Sequence, residues 1–183
     1  MSVPLEQGAM MSRTGIVFYS RSGTGRTVAE RLATVSGWPA WEVRDAEARS
    51  GLSGDLRCVV DSLFKRSPAY RYDGPELDVL DHVVLVTPVW LRSLAAPMRA
   101  FLRAEGSLLP AYSVICVMSG VGGFRAVDDI ATLADKKPLS ILLLKQADVL
   151  AEECDASLFR FKEQVAAATP AGRDDGQVIP AVD

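Results

Sequence analysis

The sequence predicts a three-layer α/β/α fold: five parallel strands, doubly wound by crossover helices on both faces. Three observations carry this expectation. Four short runs are continuously apolar, the pattern of strands buried on both faces. Segments with helical spacing lie between them, so strand and helix alternate along the chain. The 183 residues, 49% hydrophobic and 23% charged, suffice for one domain with a sizeable core.

Gly15–Tyr19 (GIVFY) is the first strand, followed by Val28, Ala29, Leu32 and Ala33 on one helical face. Trp41–Arg44 is short and alternating, as an edge strand would be. Leu52–Lys65 is a less regular helix candidate. His82–Thr87 (HVVLVT) is the third strand; Met98, Phe101 and Leu102 mark the next helix, with Pro97 suited to its first turn. Ser113–Met118 (SVICVM) leads into a helix marked by Val127, Ile130, Ala131 and Ala134. Leu139–Leu144 (LSILLL) is the fifth strand, and Leu158, Phe161 and Val165 mark a closing helix. Residues 14–168 are expected to form the domain, between a flexible segment at 1–13 and a mobile tail at 169–183. Five such strands allow the order 2-1-3-4-5.

Composition narrows the function. A net charge of −3 gives no electrostatic reason to expect nucleic acid or an anionic membrane as partner. The cysteines Cys58, Cys116 and Cys154 are odd in number and form no C-x-x-C pair, which argues against a disulfide framework or a zinc site. His82 is the only histidine, which argues against a metal centre or a Ser-His-Asp triad. No apolar stretch is long enough to span a bilayer and Met1–Arg13 lacks a signal-peptide layout, so a cytoplasmic, reducing location is expected.

In an open α/β sheet, ligands bind beyond the carboxyl ends of the strands near the switch point. Here that means the loops after strands one, three and four. Ser20-Arg21-Ser22-Gly23-Thr24-Gly25-Arg26-Thr27 follows strand one and runs into a helix. Its glycines permit close backbone approach, its hydroxyls donate hydrogen bonds, and the helix N-terminus adds free N–H groups. These are the parts of a phosphate nest. Pro88-Val89-Trp90 follows strand three, where an aromatic face suits a flat apolar ring; the plainer reading of Trp90 is a core tryptophan. Ser119-Gly120-Val121-Gly122-Gly123-Phe124 follows strand four. Its glycines either let backbone amides approach a ligand or form a long turn, and Phe124 either covers that ligand or starts the next helix.

Ser22–Thr27 (SGTGRT) resembles the phosphate loop of the flavodoxin-like family, [ST]-x-T-G-x-T, and lies where that family carries it, after the first strand. The stretch T-P-V-W followed by A-P-M-R-A-F-L is similar to the family segment that packs beside the flavin. The resemblance implies FMN as cofactor. The hydroxyls of Ser22, Thr24 and Thr27 and the amides of Gly23, Gly25 and Arg26 would bind its phosphate, and Trp90 would stack on its ring. Family phosphate loops are typically neutral, whereas this one carries Arg21 and Arg26; the Arg26 side chain is expected to face solvent.

Other readings fit less well. Ser20-x5-Arg26-Thr27 has the spacing of a cysteine-phosphatase loop, but a serine stands where the thiolate is needed. A receiver domain needs acidic residues after strand one and an aspartate after strand three; Tyr19-Ser20 and Thr87-Pro88 stand there, and Lys145 alone means little. The G-x-G-x-x-G fingerprint of dinucleotide binding is absent. The expected function is therefore FMN-based electron transfer between redox partner proteins. The alternative is an NAD(P)H-dependent reductase acting on a quinone-like acceptor, and a minor one is a flavin-free phosphate-binding or interaction module. Arg21, Arg66, Arg71, Arg92 and Arg99 either receive a nicotinamide cofactor's phosphates or are solvated surface residues. Ser67–Pro75, with Tyr70 and Tyr72, is a candidate border of the site.

Overall fold

The computed structural model describes residues 13–46 and 69–169. Its strands are β1 (Thr14–Tyr19), β2 (Ala40–Asp45), β3 (Tyr70–Tyr72), β4 (His82–Trp90), β5 (Ser93–Leu94), β6 (Ala111–Met118) and β7 (Ile141–Lys145). The helices are α1 (Thr24–Ser36), α2 (Ala96–Glu105), α3 (Gly123–Ala134), α4 (Gln146–Leu150) and α5 (Asp155–Ala168). The parallel strands β2-β1-β4-β6-β7 lie in the anticipated 2-1-3-4-5 order. The helix candidate Leu52–Lys65, Arg66 and Cys58 lie outside the described residues.

The two sides of the sheet explain why the apolar runs are continuous. Successive strand side chains point to opposite faces. In β1, Val17 and Tyr19 join one core with Met98, Phe101 and Ile130, while Ile16 and Phe18 join the other with Leu32, Leu158 and Phe161. In β4, Val83 and Leu85 divide from Val84 and Val86 in the same way. Each fully buried side chain of this size contributes roughly 1.5–3 kcal/mol relative to exposure.

Three details depart from the sequence reading. First, Trp41–Arg44 is not an edge: β3 adds antiparallel outside β2, pairing Val43 with Tyr72 and Asp45 with Tyr70. Tyr70 and Tyr72 pack on Phe101 at centroid distances of 5.7 and 5.0 Å, and Tyr70 donates to Glu105 at 3.0 Å. Second, the Leu139–Leu144 run is not buried throughout: its strand starts at Ile141, which is exposed, on the edge position that the anticipated order assigns to it. Third, β4 does not end at Thr87. It continues through Pro88 to Trp90 and turns back into β5, pairing Trp90 with Ser93. Pairing with β1 stops at Val86, while pairing with β6 reaches Pro88. A strand flanked on one side tolerates a residue that cannot donate to a ladder.

His82 opens β4 fully buried. Its Nδ1 lies 3.1 Å from Thr169 Oγ1, whose proton is donated to the Val165 carbonyl at 2.8 Å. Nδ1 is therefore the donor, and Nε2 accepts from Ser113 Oγ at 3.0 Å. Burial lowers its pKa to about 4, so the ring is a neutral structural group.

Candidate functional site

β1 and α1 meet in the glycine-rich loop. Gly23 is the N-cap of α1, with φ 94°, and the first intrahelical bond runs from Thr27 N to Gly23 O at 2.9 Å. The amides of Thr24, Gly25 and Arg26 precede that bond and so lack intrahelical acceptors. The first turn contains no acidic residue, leaving the positive end of the helix dipole uncompensated there. Gly25 lets this helix start sit directly on the end of β1: a Cβ there would lie 2.7 Å from the Tyr19 carbonyl oxygen.

A cleft of about 170 Å³ opens at this point. The loop after β1 contributes Ser20, Arg21, Ser22, Thr24 and Gly25 to its wall. The end of β4 contributes Pro88, Val89 and Trp90, β6 and its loop contribute Val117 and Ser119, and Gln146 closes the side nearest β7. The cleft thus lies at the carboxyl ends of β1, β4 and β6, where the strand order reverses. Arg21 is the only charged residue in this wall among the described residues, and no carboxylate lines it. Ser20 Oγ is buried and has no hydrogen-bond partner among the described residues. A buried oxygen left this way marks a place where an external group would complete the bonding.

The anticipated residues divide into those lining the cleft and those beside it. Ser20, Ser22, Thr24, Gly25, Pro88, Val89, Trp90 and Ser119 line it. The Thr27 hydroxyl turns back to the Gly23 carbonyl at 3.3 Å. The Arg26 guanidinium bonds both Glu42 carboxylate oxygens, at 2.7 and 2.9 Å, and its side chain is half exposed. Gly120 is exposed with open space around it. Gly122 (φ 109°) packs so closely on the β4–β5 turn that a Cβ would lie 2.4 Å from Arg92 Cα. Gly123 begins α3 against Leu143, and Phe124 follows it, 71% exposed. Tyr70 and Tyr72 stand at the far edge of the sheet, away from the cleft wall.

Trp90 is braced from within. Its ring meets Tyr19 edge-on, centroids 5.6 Å apart and planes at 79°, and Tyr19 OH donates to Asp45 Oδ2 at 2.9 Å. Packing against the core cluster and lining the cleft are both true of Trp90. Val117 and Gln146 are cleft residues that pattern reading missed, and Gln146 ties the site together. It accepts from Ser119 Oγ at 2.8 Å, and its Nε2 lies 3.5 Å from Thr24 Oγ1. One amide thereby links the loops after β1, β6 and β7. Arg99 corrects the arginine reading: it is 2% exposed and unable to receive a phosphate at the surface.

No group of three metal-ligating side chains occurs among the described residues. Burial pushes the Cys116 thiol up to about 12 and also raises that of buried Cys154. Both thiols stay protonated and are poor nucleophiles. No helix among the described residues is long and apolar enough to cross a membrane.

No family model matches the chain, and no curated protein matches it. Solved structures do. A flavoprotein of Lactobacillus acidophilus NCFM, solved in complex with FMN, superposes with a TM-score of 0.61 at 18% identity, covering 78% of this chain and 98% of that one. A putative flavoprotein of Bacteroides uniformis gives a TM-score of 0.68 at 14% identity, covering 83% and 98%. The chain has the flavodoxin-like fold. A flavodoxin, WrbA-like protein of Agrobacterium tumefaciens also matches, with a TM-score of 0.51 at 14% identity over 86% of this chain and 99% of its own. In this flavodoxin-like sheet, the cleft occupies the switch point between β1 and β4.

Proposed function

We propose that this chain binds FMN in the β1–β4–β6 cleft and passes electrons between redox partners. The observation that carries the reading is the pairing of an anion nest with an aromatic wall in one cleft. On one side stand the orphan amides of Thr24, Gly25 and Arg26, the hydroxyls of Ser22 and Thr24, and the unpartnered Ser20 Oγ. The same cleft is also lined by Trp90 and Val89. A phosphate fits the first set and a flat apolar ring fits the second. The FMN complex among the structural neighbours supports the same cofactor.

Bound FMN would supply the one- and two-electron chemistry, while the chain supplies binding, orientation and access. The cleft is smaller than the roughly 300–1,000 Å³ of pockets that enclose their ligands. A flavin held there keeps part of its surface in solvent, which suits transfer to an incoming partner. Arg92, exposed at the turn beside Trp90, favours a second reading in which a nicotinamide dinucleotide docks over the cleft and donates hydride.

The test is the visible absorption spectrum of the purified chain before and after FMN addition and removal of excess. A retained flavin band is the expected result; its absence after reconstitution overturns the proposal. Steady NADPH oxidation with a quinone would then favour the reductase reading over the carrier.

A further inference from the structure

The turn that carries Trp90 is held by charge. Leu91 and Arg92 link β4 to β5 with φ values of 46° and 62°. Glycine and asparagine favour this left-handed region, whereas Leu and Arg carry a Cβ that opposes it. Such a turn persists when its surroundings over-determine it. Here two helices grip the return strand β5. Arg99 of α2 donates from Nη2 to Ser93 Oγ and to the Leu94 carbonyl, each at 2.7 Å. Ser93 Oγ donates onward to Asp129 Oδ2 of α3 at 2.9 Å. Leu94 N donates to the same oxygen at 3.4 Å, and Arg99 Nη2 lies 3.8 Å from it. Ser93 is the register partner of Trp90.

We propose that Arg99 and Asp129, acting through Ser93, are positioning residues that hold Trp90 in the cleft wall and set the affinity for the flavin ring. This rests on the flavin reading above. The geometry explains why charges are used here. Arg99 is fully enclosed, and removing Asp129 would leave a buried guanidinium without its counter-charge. The guanidinium satisfies a carbonyl and a hydroxyl of a two-residue strand, which apolar side chains would leave unpaired. The clamp touches β5 and not the phosphate nest, so its effect falls on the ring end of the ligand.

The experiment uses the full chain with Asp129→Asn and, independently, Ser93→Ala, which removes the relay but keeps the ion pair. FMN and riboflavin are titrated against each variant, urea midpoints are measured, and Trp90 quenching by acrylamide is followed in the apoprotein by difference from Trp90→Phe. Both ligands should weaken by the same factor, roughly three- to tenfold, the size of a lost aromatic contact. The FMN-to-riboflavin ratio should stay constant and Trp90 should become easier to quench. Unchanged flavin affinity with only a lower urea midpoint overturns the proposal, as does a change confined to FMN. If the unaltered chain binds neither ligand, the flavin reading fails and the ring-affinity part falls with it. The quenching result then decides the positioning part alone, and unchanged Trp90 accessibility in both variants overturns it.

Discussion

Gln146 accepts a hydrogen bond from the Ser119 hydroxyl at 2.8 Å and thereby points its amide nitrogen at Thr24 Oγ1, 3.5 Å away. The orientation has a chemical effect. An oxygen facing an N–H acts as acceptor, so the Thr24 proton is left to donate into the cleft. Gln146→Glu would replace that N–H with a carboxylate beside an anion nest. Repulsion of on the order of 1.4–2.8 kcal/mol should weaken FMN about ten- to hundredfold. Riboflavin, which lacks the phosphate, should change less than about twofold, well below that range. Parallel fluorescence titrations check this; equal losses for both ligands would contradict it.

Thr24 and Thr27 should separate on mutation. Thr24 lines the cleft, whereas the Thr27 hydroxyl is occupied by the Gly23 carbonyl. Thr24→Ala removes a hydrogen bond to a charged group, about 1.5–3 kcal/mol, and FMN affinity should fall at least tenfold. Thr27→Ala should leave FMN affinity within about threefold, its effect limited to roughly 0.5–1.5 kcal/mol of stability. Isothermal titration with urea unfolding of each variant distinguishes the two.

Gly25→Ala pits propensity against packing. Alanine is favoured over glycine inside helices by about 1 kcal/mol. Here its Cβ would meet the backbone oxygen of Tyr19 at 2.7 Å, and backbone cannot swing aside as a flexible side chain can. Overpacking of this kind costs typically 1–3 kcal/mol, so the net change should be destabilising. A raised urea midpoint in this variant would show that the loop relaxes freely.

His82 should make the fold acid-sensitive. Its folded pKa of about 4 lies below the ordinary 6.5, so between these values the unfolded chain binds a proton that the folded chain refuses. This group leaves stability undiminished above pH 6.5 and removes up to about 3 kcal/mol as pH falls to 4. His82→Gln retains a donor and an acceptor without that titration. Urea midpoints across pH 4–7.5 should fall less steeply for the variant; identical slopes would assign the acid sensitivity to other groups.

The parallel sheet was legible because its strands are buried on both faces, and that burial leaves unbroken runs such as Val83–Val86. The phosphate-loop candidates were legible because tight backbone approach restricts composition, as at Gly25. What escaped had no local signature. Three residues of β3 are too few to establish a period, and its pairing with β2 depends on a distant chain segment. Gln146 belongs to no apolar face and enters the cleft only because β7 stands beside β6. Arg99 carried a partial signal: it lies three residues before buried Leu102, on the same side of α2. Its charge concealed that position, since arginine is seldom buried without a counter-charge, and Asp129 lies 30 positions along the chain.

β4 runs from the His82–Thr169 contact at one end of the sheet to Trp90 at the other. Eight residue steps at about 3.3 Å make this roughly 26 Å. Thr169 therefore lies on the floor of the molecule, and the cleft opens at its roof. An electrode or bead coupled at the His82 end of the sheet would hold the protein upright, with Trp90 and the cleft mouth presented to whatever diffuses past.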